Sequence, residues 1–221
     1  MVKIQNVTKS YSIEGQRVKA VDGVSLLVSR GEFLSIIGHS GSGKTTLLSL
    51  IGGLTKPDSG TVTVDERDIW SMDDNALSEF RNKKLSFIYQ FSSLIPTLTV
   101  LENILLPTAF GAHGDGVAAS ALELLEIVGL KEKINAYPSQ LSGGQQRRVA
   151  IARSFITNPE LILADEPTGD LDEETEAEMM RFFTMMNEKK GVTFILSTHN
   201  TDIARELKRQ LKMSNGTLKE V

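Results

Sequence analysis

Cysteine is absent from the 221-residue chain. Disulfides and thiolate metal sites are thereby excluded, and a reducing, cytosolic setting fits. No apolar run reaches the ~20 residues that span a bilayer, so the chain is not expected to cross a membrane by itself. The opening stretch MVKIQNVTKSYSIEG is polar and strand-like and has no signal-peptide apolar centre. Long basic runs are missing as well. The balance of 24 Lys and Arg against 28 Asp and Glu gives a net charge of −4. That disfavours a general nucleic-acid binder, so no nucleic-acid partner is expected, but a local phosphate pocket remains open. Internal repeats and low-complexity tails are lacking too. What remains is an ordinary globular composition, 40% hydrophobic and 24% charged, able to bury a real core. The length is long for one domain and short for two, so one core with a sizeable insertion is expected.

Short apolar runs alternate with helical patterns. FLSIIG (33–38), LSFIY (85–89), LILAD (161–165) and VTFILST (192–198) read as buried strands. Lys44–Ile51, Glu174–Glu188 and Asp202–Leu207 read as helices. This order predicts an α/β fold, a mostly parallel sheet with helices on both faces. VKIQNVTKSY, GVSLLVS and GTVTVD add an antiparallel β side sheet. Residues 91–157 differ: TVLENILL, VAASALELLEIVGL and SGGQQRRVAIARSFIT are helical. The expected organisation is a single unit, 1–221. Residues 1–90 and 158–221 form its core, and 91–157 form an inserted helical subdomain.

GHSGSGKTT, Gly38–Thr46, lies between a strand and a helix and matches the P-loop pattern at Gly38, Gly43, Lys44 and Thr45. Glycines let the loop wrap so that successive backbone N–H groups face one anion. The helix N-terminus adds roughly half a positive charge. Ser40, Gly41, Ser42 and Thr46 belong to the same nucleotide cradle. Lys44 is expected to reach the outer phosphates and the Thr45 hydroxyl to ligate Mg²⁺. A plain glycine-rich turn is the bland alternative, and strand, loop, Lys-Thr and helix together outweigh it. His39 takes a free position in the loop and has no assigned role.

LILADEPTGDLD ends a buried run in Asp165-Glu166. In a P-loop protein an Asp at the end of a neighbouring strand holds Mg²⁺, directly or through water. Glu166 then faces the space beyond the γ-phosphate, where a carboxylate can polarise an attacking water. His199, just past the strand in FILSTHN, falls on the edge of a parallel sheet where ligands bind. It can meet the γ-phosphate or the water. Gln90 follows LSFIY and can reach metal or attacking water, and it is a hinge into the insertion. Tyr11 can stack on a base or simply be a core or surface tyrosine. His113, in GAHGDG, is read as an ordinary loop residue.

QLSGGQQRRVAIARSF (140–155) poses a question. Ser142 and Gln145 form a capping-box pattern, yet Gly143 and Gly144 occupy the first turn. Each costs roughly 0.5–1 kcal/mol against alanine. One explanation is a second anion site at a helix N-terminus, offered to the γ-phosphate of ATP held by another copy's P-loop. The other is a tight helix–helix packing point that needs small residues. Arg147, Arg148 and Arg153, with Gln146, are read as the helix's polar surface.

In this order and spacing, GHSGSGKTT, Gln90, LSGGQ (141–145), LILADE and His199 resemble the nucleotide-binding domain of ATP-binding cassette proteins. The likeness covers nearly the whole chain. FSSLIPTLTVLENILLP (91–107) and LADEPTGDLD resemble the branch that powers macrolide-exporter and lipoprotein-releasing systems, and the cell-division ATPase of that branch is similar as well. The resemblance implies an ATPase with ATP and Mg²⁺ as cofactors, which closes head-to-tail with a second copy of itself. Each ATP would lie between Lys44, Thr45 and Asp165 of one copy and the Ser142, Gly143, Gly144 and Gln145 turn of the other. It makes Glu166 the general base, His199 the γ-phosphate contact, Tyr11 the adenine-stacking aromatic and Gln90 both a metal-side group and the link to an integral membrane permease. The expected location is cytoplasmic, peripheral at the inner face of the cell membrane. The alternative partner is a non-transport membrane complex controlling cell division. Gly169-Asp170-Leu171-Asp172 matches a loop that crosses the dimer, with Asp170 where Asn is frequent. Soluble members of the family carry long coiled-coil insertions or two tandem cassettes, and 91–157 is too short for that class.

Overall fold

Buried strands that alternate with helices have one economical arrangement, a parallel sheet covered on both faces. The computed structural model describes residues 1–111, 116–169 and 171–221, so His113 and Asp170 lie outside the described residues. The strands are β1 (Val2–Ile13), β2 (Gln16–Val28), β3 (Phe33–Ile37), β4 (Ser59–Val64), β5 (Arg67–Asp68), β6 (Leu85–Ile88), β7 (Leu161–Asp165), β8 (Thr193–Thr198), β9 (Arg209–Ser214) and β10 (Thr217–Glu220). The helices are α1 (Lys44–Ile51), α2 (Asp74–Lys84), α3 (Val100–Leu105), α4 (Val117–Ile127), α5 (Gly143–Phe155), α6 (Glu173–Lys190) and α7 (Thr201–Glu206). The large sheet has the order β10-β9-β3-β8-β7-β6. It is parallel from β9 to β6, and β10 returns antiparallel. The small sheet, β2-β1-β4-β5, is antiparallel throughout. Among the described residues no helix is long and apolar enough to cross a membrane.

Period-two alternation sends the large sheet's side chains into two cores. Leu34, Ile36, Leu161, Leu163 and Ile195 meet the small sheet and α1. Phe33, Ile162, Ala164, Phe194 and Leu196 meet α4, α5 and α6. Phe155 anchors the end of α5 in the second core. Its ring lies 4.8 Å from Phe182, 6.3 Å from Phe183 and 6.2 Å from Phe194, centroid to centroid. At the opposite edge from the strand C-termini, Arg30 and Lys84 pair with Glu160 and Asp65. Lys84, and then Arg30, hold the Glu160 carboxyl below its usual range. A depressed carboxyl pKa stabilises the fold above the ordinary carboxylate range, and that contribution is lost as the pH falls.

The expected side sheet and the four buried strands are present, with two differences. β6 stops at Ile88, so Tyr89 and Gln90 lie beyond the strand end. α2 and the β9–β10 hairpin are additional to the sequence reading. α2 buries only Leu77 and Phe80, too few apolar positions to show a helical period. The hairpin is charged along its outer positions, which hides its alternation.

Truncating Phe155 to Ala is expected to cost about 3–5 kcal/mol, the usual loss for a buried aromatic. Denaturant unfolding would measure it. A variant as stable as the parent would show that α5 is not anchored through this ring.

Candidate functional site

The P-loop joins the end of β3 to the start of α1, and close approach requires glycine at positions 38 and 43. Gly43 has φ 110°, and a Cβ there would stand 2.0 Å from the Ala20 carbonyl oxygen. A Cβ on Gly38 would stand 2.4 Å from the Met213 carbonyl oxygen. The loop is therefore pressed against β2 and β9 in a shape that side chains would prevent. Lys44 is buried. Its Nζ donates to the carbonyls of Gly38 at 2.7 Å and His39 at 3.2 Å, and lies 3.8 Å from Glu166 Oε1.

β7 and β8 run parallel in a register that sets Asp165 opposite Ser197. The Ser197 hydroxyl donates to Asp165 Oδ1, and the Thr45 hydroxyl donates to Asp165 Oδ2 at 2.6 Å. One carboxylate thus ties β7, β8 and α1 together. Glu166, one residue on, has φ 49°. Its N–H donates to the Ser197 carbonyl at 3.1 Å. Its Oε2 accepts from the His199 N–H at 3.3 Å and lies 2.6 Å from His199 Nδ1. An ionised carboxylate only accepts, so Nδ1 carries the proton.

These groups converge because parallel strands end at one edge. A cleft of about 500 Å³ there is lined by Tyr11, Val18, Ala20, Ser40, Gly41, Ser42, Gly43, Lys44, Thr45, Thr46, Gln90, Asp165, Glu166 and His199. Gly38 underlies it through its carbonyl. Tyr11 stands at the rim, 39% exposed, with Lys9 Nζ 5.7 Å from its ring centroid. The residues fit a nucleotide and a hard cation. Inside the cradle, the buried Ser42 hydroxyl has no hydrogen-bond partner among the described residues. Thr45 and Asp165 offer two oxygens within reach of one ion, the donor type Mg²⁺ takes. Among the described residues no group of three or more His, Cys, Asp or Glu could hold a metal. Any ion here would complete its shell with phosphate and water oxygens, as Mg²⁺ does.

Ser142, Gly143, Gly144 and Gln145 are not brought to this cleft. They start α5, where the capping box forms as expected. Ser142 Oγ accepts from the Gln145 N–H at 3.2 Å, and Gln145 Oε1 accepts from the Ser142 N–H at 3.0 Å. Among the described residues, a Cβ on Gly143 would meet nothing within 4 Å, and one on Gly144 only Leu171 Cδ2 at 3.5 Å. Packing against the described residues therefore does not call for the two glycines.

The polar-surface reading of the residues after this turn is corrected. Gln146 Nε2 donates to the carbonyls of Pro138 at 3.0 Å and Leu141 at 3.3 Å. Arg147 is 2% exposed. It donates to the carbonyls of Tyr89 and Glu166, and Arg153 donates to those of Ser92 and Ser93. Ser197 was likewise not singled out. Position 147 carries a readable signal, since it lies four residues before Ile151 and eight before Phe155, on the apolar stripe.

Residues 21–169 match the sequence pattern of the ABC transporter family. The chain belongs to that family. It is 40% identical over 221 residues to the lipoprotein-releasing system ATP-binding protein LolD of Myxococcus xanthus, covering 100% of this chain and 99% of the relative. It is 42% identical over 218 residues to the macrolide export ATP-binding/permease protein MacB of Chlorobaculum tepidum, which covers 99% of this chain but 33% of that longer protein. Among solved structures, the dimeric post-hydrolysis state of the ATP-binding cassette MJ0796 bound to ADP and phosphate superposes with a TM-score of 0.94. It shares 42% identity and covers 100% of this chain and 98% of that one. The α/β cassette fold and an ATP-binding, ATP-hydrolysing activity follow from membership.

Replacing Ser197 with Ala removes the hydroxyl that orients Asp165. The Mg²⁺ concentration for half-maximal ATP hydrolysis is expected to rise about 10- to 100-fold, as for other groups that orient metal ligands. An unchanged Mg²⁺ requirement would separate Ser197 from the metal.

Proposed function

We propose that the chain closes head-to-tail with a second copy around two Mg-ATP and drives an integral membrane permease of the export or lipoprotein-extraction type. The observation that carries this reading is the divided site. Cradle, carboxylates and histidine share one cleft, while the Ser142–Gln145 turn lies outside it, and among the described residues only Leu171 comes near where Cβ atoms on its glycines would stand. A helix start with exposed N–H groups and no Cβ suits a phosphate presented by another molecule. The MJ0796 cassette, similar along its whole length, forms a dimer.

In this reading Lys44 and the P-loop N–H groups bind the β- and γ-phosphates, and Tyr11 stacks on the adenine. Thr45, Asp165 and Gln90 would hold Mg²⁺, which supplies charge neutralisation between the phosphates. Glu166 takes a proton from water as the water oxygen bonds to the γ-phosphorus and the bond to the ADP oxygen breaks. His199, with Nδ1–H on Glu166, offers Nε2 to the water when neutral and to the γ-phosphate when protonated. The partner's Ser142 to Gln145 turn adds donors where charge develops.

The permease reading rests on a groove beside Gln90. It measures about 650 Å³ and includes Leu54, Phe87, Tyr89, Leu106 and Phe110, with Arg81 and Glu79 on its polar side. Phe110 is 75% exposed. An apolar floor with a charged rim suits a short cytoplasmic helix of a membrane protein. Residues 91–157 act as the helical arm that turns against the core, 1–90 and 158–221. The cassette would then sit at the cytoplasmic face of the membrane. LolD and MacB, by name, serve lipoprotein release and macrolide export, and this chain is assigned to that branch.

The Glu166→Gln variant is expected to bind ATP, hydrolyse it at least about 100-fold more slowly, as when a general base is lost, and elute as a dimer in ATP. Lys44→Ala is expected to lose nucleotide binding and stay monomeric. Gel filtration with and without ATP tests both. A Glu166→Gln protein that hydrolyses normally and never dimerises would refute the divided-site reading.

A further inference from the structure

Arg147 is a cation inside the apolar stripe of α5, 2% exposed between the second core and the cleft. Its Nη1 donates to the Tyr89 carbonyl and its Nη2 to the Glu166 carbonyl at 2.6 Å. Tyr89 follows β6 and immediately precedes Gln90, and Glu166 follows β7. A planar guanidinium holds its donors in a fixed fork, so one side chain sets the relative positions of two strand ends. On the far side of Gln90, Arg153 of the same helix donates to the Ser92 and Ser93 carbonyls, at 3.0 Å each. Segment 89–93 is clamped at both ends by α5, and Arg147 extends the clamp to Glu166.

Glu166 is where such a clamp matters. Its φ of 49° is left-handed, a conformation that side-chain-bearing residues rarely hold without surrounding support. Its N–H is bound to Ser197, and its carbonyl accepts from Arg147 at 2.6 Å and from the Gly169 N–H at 3.4 Å. The peptide groups on both sides of its Cα are therefore fixed, and with them the direction of its carboxylate. Without Arg147, the 3.4 Å contact from the Gly169 N–H is a weak restraint, and the peptide could rotate and carry the carboxylate away from the His199 contact.

We propose that Arg147 is a positioning residue for ATP hydrolysis: by gripping two backbone carbonyls it aims the Glu166 carboxylate and couples that aim to the segment around Gln90. The proposal rests on the reading of Glu166 as general base. It assigns Arg147 no contact with the nucleotide, so it predicts an effect on turnover and none on binding.

The test uses the full chain with Arg147→Met, Arg147→Lys and each combined with Glu166→Gln. Fluorescent ATP analogue titration gives affinity, steady-state hydrolysis gives kcat and KM, and single-turnover hydrolysis follows the slow variants. Arg147→Met is expected to lower kcat about 10- to 100-fold, the scale of a misplaced catalytic group. Affinity and KM should stay within about twofold, the signature of an interaction used in the transition state alone. Arg147→Lys keeps one donor and is expected to recover part of the rate. In the Glu166→Gln background, Arg147→Met should cause no further loss, because the group it positions is gone. A kcat for Arg147→Met within twofold of the parent would overturn the proposal. So would an equal proportional loss with and without the Glu166 carboxylate, which marks a purely structural role. If Arg147→Met loses its cooperative melting transition, Arg147→Lys and Arg147→Gln decide by the same two comparisons. Parental hydrolysis by Glu166→Gln alone would sink the base assignment, and this proposal with it. An inactive Glu166→Gln beside a fully active Arg147→Met would sink this proposal alone.

Discussion

The carboxylate of Asp165 is the point at which the fold becomes a site. It ends β7, faces Ser197 across the parallel register and takes the Thr45 hydroxyl from the first turn of α1. A hydrogen bond to a charged acceptor that is mostly shielded from water is strong, and it is costly to leave unmade. Three elements distant in sequence are thus held at one edge by oxygens that also suit a divalent ion. The P-loop's shape depends on the same arrangement. Gly38 and Gly43 press against β9 and β2, and they can do so only while α1 starts where Thr45 meets Asp165.

The glycines of the chain answer to two different demands. Gly38 and Gly43 of the P-loop are dictated from within, because a Cβ would strike the backbone of a neighbouring strand. Gly143 and Gly144 have no such neighbour among the described residues, and they weaken the helix they begin. A sequence that keeps a stabilising cap at Ser142 and Gln145 beside two destabilising glycines is serving something other than the monomer's stability. The proposed divided site would use that turn, where the described residues leave space over a polar helix start.

Much of this architecture was legible in the sequence, for identifiable reasons. Strands buried on both faces leave unbroken apolar runs, so β3, β7 and β8 were readable. Motifs in which backbone geometry demands glycine at fixed spacing, as at Gly38–Thr46, are readable because few other residues fit. Elements stabilised mainly by neighbours left little trace: α2 shows two buried apolar positions, and the β9–β10 hairpin carries Lys212 and Lys219 on its exposed side. Arg147 shows the limit most clearly. A charged residue in a helix is ordinarily solvated, and only its phase relative to Ile151 and Phe155 marked it as interior. The backbone carbonyls it binds have no identity in the sequence.

The placement of that arginine also explains how α5 can be both rigid and responsive. Its C-terminal end is fixed by Phe155 among Phe182, Phe183 and Phe194, while its N-terminal turn is exposed and capped. Between these ends, Gln146, Arg147 and Arg153 donate to backbone carbonyls. The Arg147 guanidinium and the positive end of the helix carry charge of the same sign. Both favour anions arriving at the cleft and at the Ser142 turn. A ligand that approached both ends would therefore be attracted by groups already linked through α5. Force applied near Gln90 would meet the same helix before it met the Glu166 peptide, so the route between groove and carboxylate is one hydrogen-bonded side chain long.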